Sequence, residues 1–143
     1  MPFTGWEKWA PVVLRVVLGA ALLPHGAQKL FGAFGGAGPA GTAAYMQKLG
    51  LIPGVFWAWV AIVTEFFGGL GLIFGFLTRV WAGLLVIEMI VAIMKVNWWR
   101  GFFFTAGGFE TPLVFTGVAL SLVLGGPGVL SVDRAMGLEK PSA

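Results

Sequence analysis

The chain has no cysteine, a single histidine, and charged side chains at only 10% of its 143 positions. Without cysteine there are no disulfides, thiolate metal sites, iron–sulfur clusters or c-type haem attachment, and one histidine cannot supply bis-histidine haem ligation. The chain also has too few nitrogen and sulfur ligands for a zinc or iron site of its own. With no flavin motif either, any redox role must use a diffusible or partner-borne carrier. The charges that are present, 9 Lys+Arg and 6 Asp+Glu for a formal +3, are scattered and form no basic stripe. Nucleic acid is therefore not an expected partner.

What the chain has in abundance is apolar side chains, 58% of the total. A water-soluble domain of this size could not hide that much apolar surface, whereas lipid as solvent removes the conflict. Four apolar runs cover about 9–31, 55–76, 80–96 and 110–125. All but the last are close to the roughly 20 residues needed to cross a bilayer. The expected fold is an all-α membrane protein: one domain over residues 1–143, an up-and-down bundle of four transmembrane helices with a short interfacial helix between helices one and two. Before the short fourth run, Phe102-Phe103-Phe104 reads as non-helical or interfacial chain and Gly107-Gly108 as a break. Small residues from Ala33 to Gly41 also suit a cleavable signal peptide. Arg15 within the first run and the start at Met1 set the opposite expectation, a retained span.

Tryptophan favours the headgroup level of a membrane. In this arrangement Trp6, Trp9 and Trp81 mark the face carrying both termini, and Trp57, Trp59, Trp98 and Trp99 mark the other. Basic residues nearly balance, with Lys8, Arg79, Arg134 and Lys140 against Lys29, Lys48, Lys95 and Arg100, and cytoplasmic termini are favoured by a narrow margin. Leu77-Thr78-Arg79 is a tight link that makes helices two and three antiparallel neighbours. Thr42 to Leu49 reads either as a short interfacial helix that Pro53 ends or as a packed loop. Gly68, Gly69, Gly71 and Gly75 contain a small-xxx-small spacing suited to close helix contact.

Arg15, His25, Lys29, Glu65, Glu88 and Lys95 lie in or at the edges of the spans, where an ionised group costs on the order of 3 kcal/mol and should face the bundle interior. Helical geometry puts Arg15, His25 and Lys29 within an arc of roughly 80°. At about 1.5 Å per residue Arg15 lies near 9 Å from the terminal face, and Glu65 and Glu88 near 16 and 13 Å. The expectation is a buried ion-pair network of Arg15, Glu65, Glu88 and Lys95, with Arg15 paired to either glutamate. A second charged layer joins His25, Lys29 and Lys95 to Glu110 at the start of the fourth helix. Mutual neutralisation of three cations and three carboxylates is by itself sufficient reason for these residues. The competing reading is that His25, Lys29, Glu65 and Glu110 bind a polar headgroup, since intramembrane ionisable groups line substrate sites and proton relays.

The order of these clusters resembles the DoxX family of small four-helix bacterial membrane proteins, related to the small subunit of quinone-linked thiosulfate oxidoreductases. The matching residues are Leu14-Arg15, Leu18-Gly19 and His25-Gly26 with Lys29, then Glu65 with Gly68-Gly69, Gly75 and Thr78-Arg79. Gly107-Gly108-Phe109-Glu110 follows, and Gly125-Gly126-Pro127-Gly128 with Ser131 and Asp133 completes the pattern. Glu88 and Lys95 match no motif position. The resemblance implies a bacterial inner-membrane protein acting on or beside the quinone pool, with other redox subunits or further copies of itself as partners. The function this implies is a small subunit of a quinone-linked oxidoreductase or oxidative-stress complex that forms a quinone site or anchors catalytic partners. A proton- or solute-conducting protein and a purely structural subunit remain the alternatives.

Overall fold

The computed structural model describes residues 4–139, and the regular elements among them are all helical. Lys140, counted above among the terminal-face charges, lies outside the described residues. Helix α1 (Ala10–Phe31) has a proline in its first turn, where a missing N–H costs nothing, and stops at Gly32, whose φ of 68° suits a residue without a side chain. Helix α2 (Gly38–Lys48) starts a turn before Thr42 because Pro39 also fits a first turn. Helix α3 (Gly54–Phe74) follows Pro53 and ends at Gly75, with φ 69°. Helix α4 (Thr78–Arg100) runs antiparallel to it, and α5 (Glu110–Gly125) and the four-residue α6 (Val132–Ala135) complete the chain.

Among the described residues three helices, Glu7–Phe31, Gly54–Phe74 and Thr78–Arg100, are long and apolar enough to cross a membrane, and Glu110–Gly125 is a shorter apolar helix. Their outward faces carry Val13, Val17, Phe56, Val80, Ile87, Val114 and Leu120, all exposed. Water would penalise that surface and lipid does not. Inside, Leu18, Leu22, Leu72, Leu85, Ala119 and Leu122 form the core.

Between α1 and α3 glycine brings the backbones into close contact. A Cβ on Gly19 would lie 2.5 Å from the Gly69 carbonyl, and one on Gly26 would lie 2.5 Å from the Phe66 nitrogen, so the backbones of α1 and α3 touch at two points. Gly68 and Gly71 receive the ring of Trp81 from α4. Trp81 is therefore packed within the bundle, with its Nε1 buried, and is not an interfacial marker as its position near a span end suggested. The Gly71 and Gly75 pair forms no single docking stripe: Gly71 accommodates the indole, while Gly75 ends α3 against the Arg15 guanidinium.

Helix α1 lies between α3 and α5, and α4 packs chiefly along α5. The amino-terminal half of α3 packs chiefly on α2. The tight link does make α3 and α4 antiparallel neighbours at the terminal face, but they separate toward the other end. That separation creates the space in which the ionisable residues sit.

Candidate functional site

Glu65 lies in a single π-helical turn, Val63–Phe67, and a second such turn, Ile93–Asn97, contains Lys95. A π turn widens the helix by one residue, and such turns recur at functional sites. The widened backbone at Phe66 fits against α1 because Gly26 offers no side chain there. Phe66 then meets Phe31 and Phe67 edge to face, with centroids 5.4 and 5.3 Å apart. This packing holds the Glu65 carboxylate buried, 6% exposed as a residue, where its Oε2 accepts a 2.5 Å hydrogen bond from Lys29 Nζ.

Two cavities meet at this pair. A lateral cavity of about 310 Å³ opens between α2, α3 and α4. Its polar members are Lys29, Tyr45, Thr64, Glu65, Glu88, Lys95 and Asn97, and Leu49, Trp57, Val60, Leu84 and Ile87 are among its apolar walls. A loop cavity of about 320 Å³ lies on the other side, lined by His25, Leu22, Phe104, Gly107, Gly108, Thr111, Pro112 and Phe115 together with Glu65 and Asn97. Glu65, Met89, Ala92 and Asn97 line both. Glu88 interacts electrostatically with Glu65 and Lys29, and its buried Oε2 has no hydrogen-bond partner among the described residues.

The structure brings together part of the expected constellation. Lys29 and Glu65 meet as an ion pair, and His25 shares the loop cavity with Glu65 without a hydrogen bond to it. Lys95 lines the lateral cavity but is exposed and joins no ion pair among the described residues, so it does not belong to a buried network. Glu110 belongs to neither cavity. Its Oε2 accepts from the Phe104 N–H at 2.9 Å, and its own N–H donates to Phe102 O at 2.9 Å. At the first position of α5 a carboxylate finds free amides within reach of its own loop, which is a shorter path than one to Lys29, Lys95 or His25.

Arg15 corrects the expectation most clearly. It pairs with neither Glu65 nor Glu88: its guanidinium Nη1 donates to Leu72 O at 3.3 Å and Ile73 O at 3.0 Å, with the residue 2% exposed. Helical side chains lean toward their own amino terminus, so Arg15 points back to the terminal face. Leu72 and Ile73 lie seven and eight residues beyond Glu65, roughly 10–12 Å along the axis. There the last carbonyls of α3 attract a cation. The carboxylate acting on Arg15 is Asp133. Asp133 Oδ1 accepts from Leu77 N at 2.6 Å, Oδ2 accepts from Thr78 N at 2.9 Å, and its own N–H donates to Gly75 O at 2.9 Å. Two charged assemblies thus form, as two layers were expected, but with different members: Arg15 with Asp133 at one level and Lys29 with Glu65 and Glu88 at the other.

Three contributors were missed in the sequence. Tyr45 lines the lateral cavity because α2 folds back onto α3, which no local pattern announces. Thr64 lies beside Glu65 but carries no charge to draw notice. Asn97 had a signal, a polar amide at the end of an apolar run, and its Nδ2 donates to Gly107 O at 2.7 Å and Gly108 O at 3.3 Å. That bond fixes the loop which closes one side of the loop cavity.

Comparison with known proteins bears on the same residues. The model of the DoxX family matches residues 10–98, a span that includes His25, Lys29, Glu65, Glu88, Lys95 and Asn97 and ends before the Gly107 and Gly125 clusters. The chain is 37% identical over 101 residues to the inner membrane protein YqjF of Escherichia coli (strain K12), covering 69% of this chain and 75% of that one. No solved structure matches.

Proposed function

Because the chain belongs to the DoxX family of membrane proteins, we propose that it is a multi-pass inner-membrane subunit whose lateral cavity takes the headgroup of a quinone on behalf of a redox partner. The observation that carries this reading is the Lys29–Glu65 pair set in the wall of a cavity that is otherwise largely apolar. A cavity of about 310 Å³ is at the lower end of small-ligand sites, which combine apolar walls with a few convergent polar groups.

The side chains suit that ligand. Lys29 has donors left beyond the one given to Glu65, and Lys95 and the Tyr45 hydroxyl add others for a ring carbonyl. Trp57, Ile87 and Met89 offer faces for the ring, and the separated ends of α3 and α4 give a lipid-soluble tail a route in. A bound quinone would supply two-electron carrier chemistry, which this chain lacks. The protein's own part is to bind, orient and present proton-exchanging carboxyls, with other redox subunits or further copies of the chain as partners.

Binding is tested by titrating the purified protein with a short-chain quinone while following tryptophan fluorescence and photo-crosslinking. Saturable labelling of the α2 and α4 walls near Tyr45 and Ile87 is expected. Lys29→Ala should weaken it about tenfold or more, the loss of one charge-assisted hydrogen bond of roughly 1.5–3 kcal/mol. Non-saturable partitioning, unchanged in that variant, would leave the structural-subunit and conducting readings ahead.

The reading includes four spans, with α5 as the fourth and both termini cytoplasmic. Sixteen residues give about 24 Å of helix, and the exposed Phe102, Phe103 and Phe104 extend the apolar surface beyond it. The cations Lys8, Arg79 and Arg134 line one opening at the terminal end, as an inner-leaflet face requires, alongside Glu7 and Glu139. A chain without cysteine makes this simple to check. Single variants Lys8→Cys and Met136→Cys should resist an impermeant maleimide added outside spheroplasts, and Thr105→Cys should react; labelling of Lys8→Cys and Met136→Cys from opposite sides would rule out an even number of spans.

A further inference from the structure

We propose that Glu65 is a proton conduit, linking the His25 cavity on the loop side to the carboxyl of Glu88 in the lateral cavity. The inference rests on how the side chains divide the space. His25 is exposed, has no hydrogen-bond partner among the described residues, and faces the loop cavity. Glu88 faces the lateral cavity, with a buried, unpartnered Oε2. Glu65 lines both cavities and is the titratable group that does so.

Every charged or titratable group around Glu65 has a place in this arrangement. From α1 come Lys29, paired to it, and His25; from α4 come Glu88 and Lys95; from α2 comes the Tyr45 hydroxyl. Helix α5 contributes none, since Glu110 is turned to the Phe104 amide. The transfer is balanced at each step. An imidazolium at His25 gives its proton, through water in the loop cavity, to the Glu65 carboxylate, leaving neutral imidazole and a carboxylic acid. Glu65 then passes that proton to the Glu88 carboxylate and becomes ionised again beside Lys29. Histidine suits the entry position because its ring can take a proton at one nitrogen and release one from the other. Asn97, held by Gly107 and Gly108, keeps the mouth of the loop cavity in shape.

This deepens the ligand reading by giving the lateral cavity a proton supply separate from its lipid-facing opening. It is tested without any quinone, so its outcome is independent of whether a quinone binds. The purified protein in lipid nanodiscs is taken through a rapid pH jump while the carboxylic C=O stretch is followed by infrared spectroscopy, and the Glu88 band is assigned by its loss in Glu88→Gln. In His25→Ala the Glu88 band should relax at least about tenfold more slowly than in wild type, with an unchanged final amplitude. Thr111→Phe, which narrows the loop cavity without adding or removing a charge, should slow it similarly. Relaxation at the wild-type rate in both variants, each checked for an unaltered melting temperature, would overturn the proposal and make the lipid-facing opening the route.

Discussion

Lys29→Met should lower stability by roughly 3 kcal/mol, toward the lower end for breaking a buried pair because the Lys29 side chain is 24% exposed while that of Glu65 is 8% exposed. The loss is large because two carboxyls, Glu65 and Glu88, share this one close cation. Removing it leaves the Glu65 carboxylate buried beside a second carboxyl, Glu88, with no ion-pair partner among the described residues. Glu65→Gln should cost much less. Lys29 then turns to the neighbouring Glu88, and the crowding of two carboxyls is relieved at the same time. The double variant Lys29→Met with Glu65→Gln should recover part of the loss, since the uncompensated charge has gone. Thermal unfolding in detergent micelles for the three variants gives the comparison. Equal effects of the two single substitutions would mean that Glu88 does not take part in the pair.

The second large effect is expected at the opposite end of the bundle. Arg15→Met keeps the apolar stem but removes the charge-assisted bonds to Leu72 O and Ile73 O at a residue only 2% exposed. At about 1.5–3 kcal/mol for a hydrogen bond to a charged group, the two together should cost roughly 3–6 kcal/mol. The damage should spread along the chain, because Asp133 lies beside Arg15 and also holds the first amides of α4. Arg15→Lys should recover part of the loss, because both bonds come from the one Nη1 and an ammonium also carries several donors, though without the guanidinium's fixed plane to aim them. Chemical denaturation of the two variants, compared with Asp133→Asn, tests this. If Arg15→Met unfolds like wild type, the terminal assembly has no part in stability. Because Arg15 is far from both cavities, the pH-jump response of Glu88 should survive in whatever fraction of Arg15→Met remains folded.

Spans, punctuation and solvent were legible in the sequence because each has a local cause. A run such as 9–31 is apolar along its length and Gly32 stops it through its freedom at positive φ, whereas Gly75 as the end of α3 and Pro39 as the opening of α2 came only with the structure. Membership of the site was half legible. His25 and Lys29 are four residues apart on one helix face, so their convergence follows from the 3.6-residue repeat, and a glutamate within an apolar run has to seek a partner.

Which partner each charge finds was decided by the tertiary structure alone. Two groups of opposite sign at similar depth look interchangeable on paper, but a helical side chain leans one way, and that lean separates Arg15 from Glu65 and delivers it to the end of α3. Glu110 had an amide of its own loop within reach. The π turns at Glu65 and Lys95 also escape a reading at 3.6 residues per turn, and the one at Glu65 sits where backbones from two helices meet, Phe66 over Gly26. Composition and periodicity fixed the solvent and the helices, since both depend on neighbours in sequence. The division of the interior into two cavities with Glu65 between them depends on contacts between different elements, such as Lys29 with Glu65, 36 positions apart, and only the packed chain contains those.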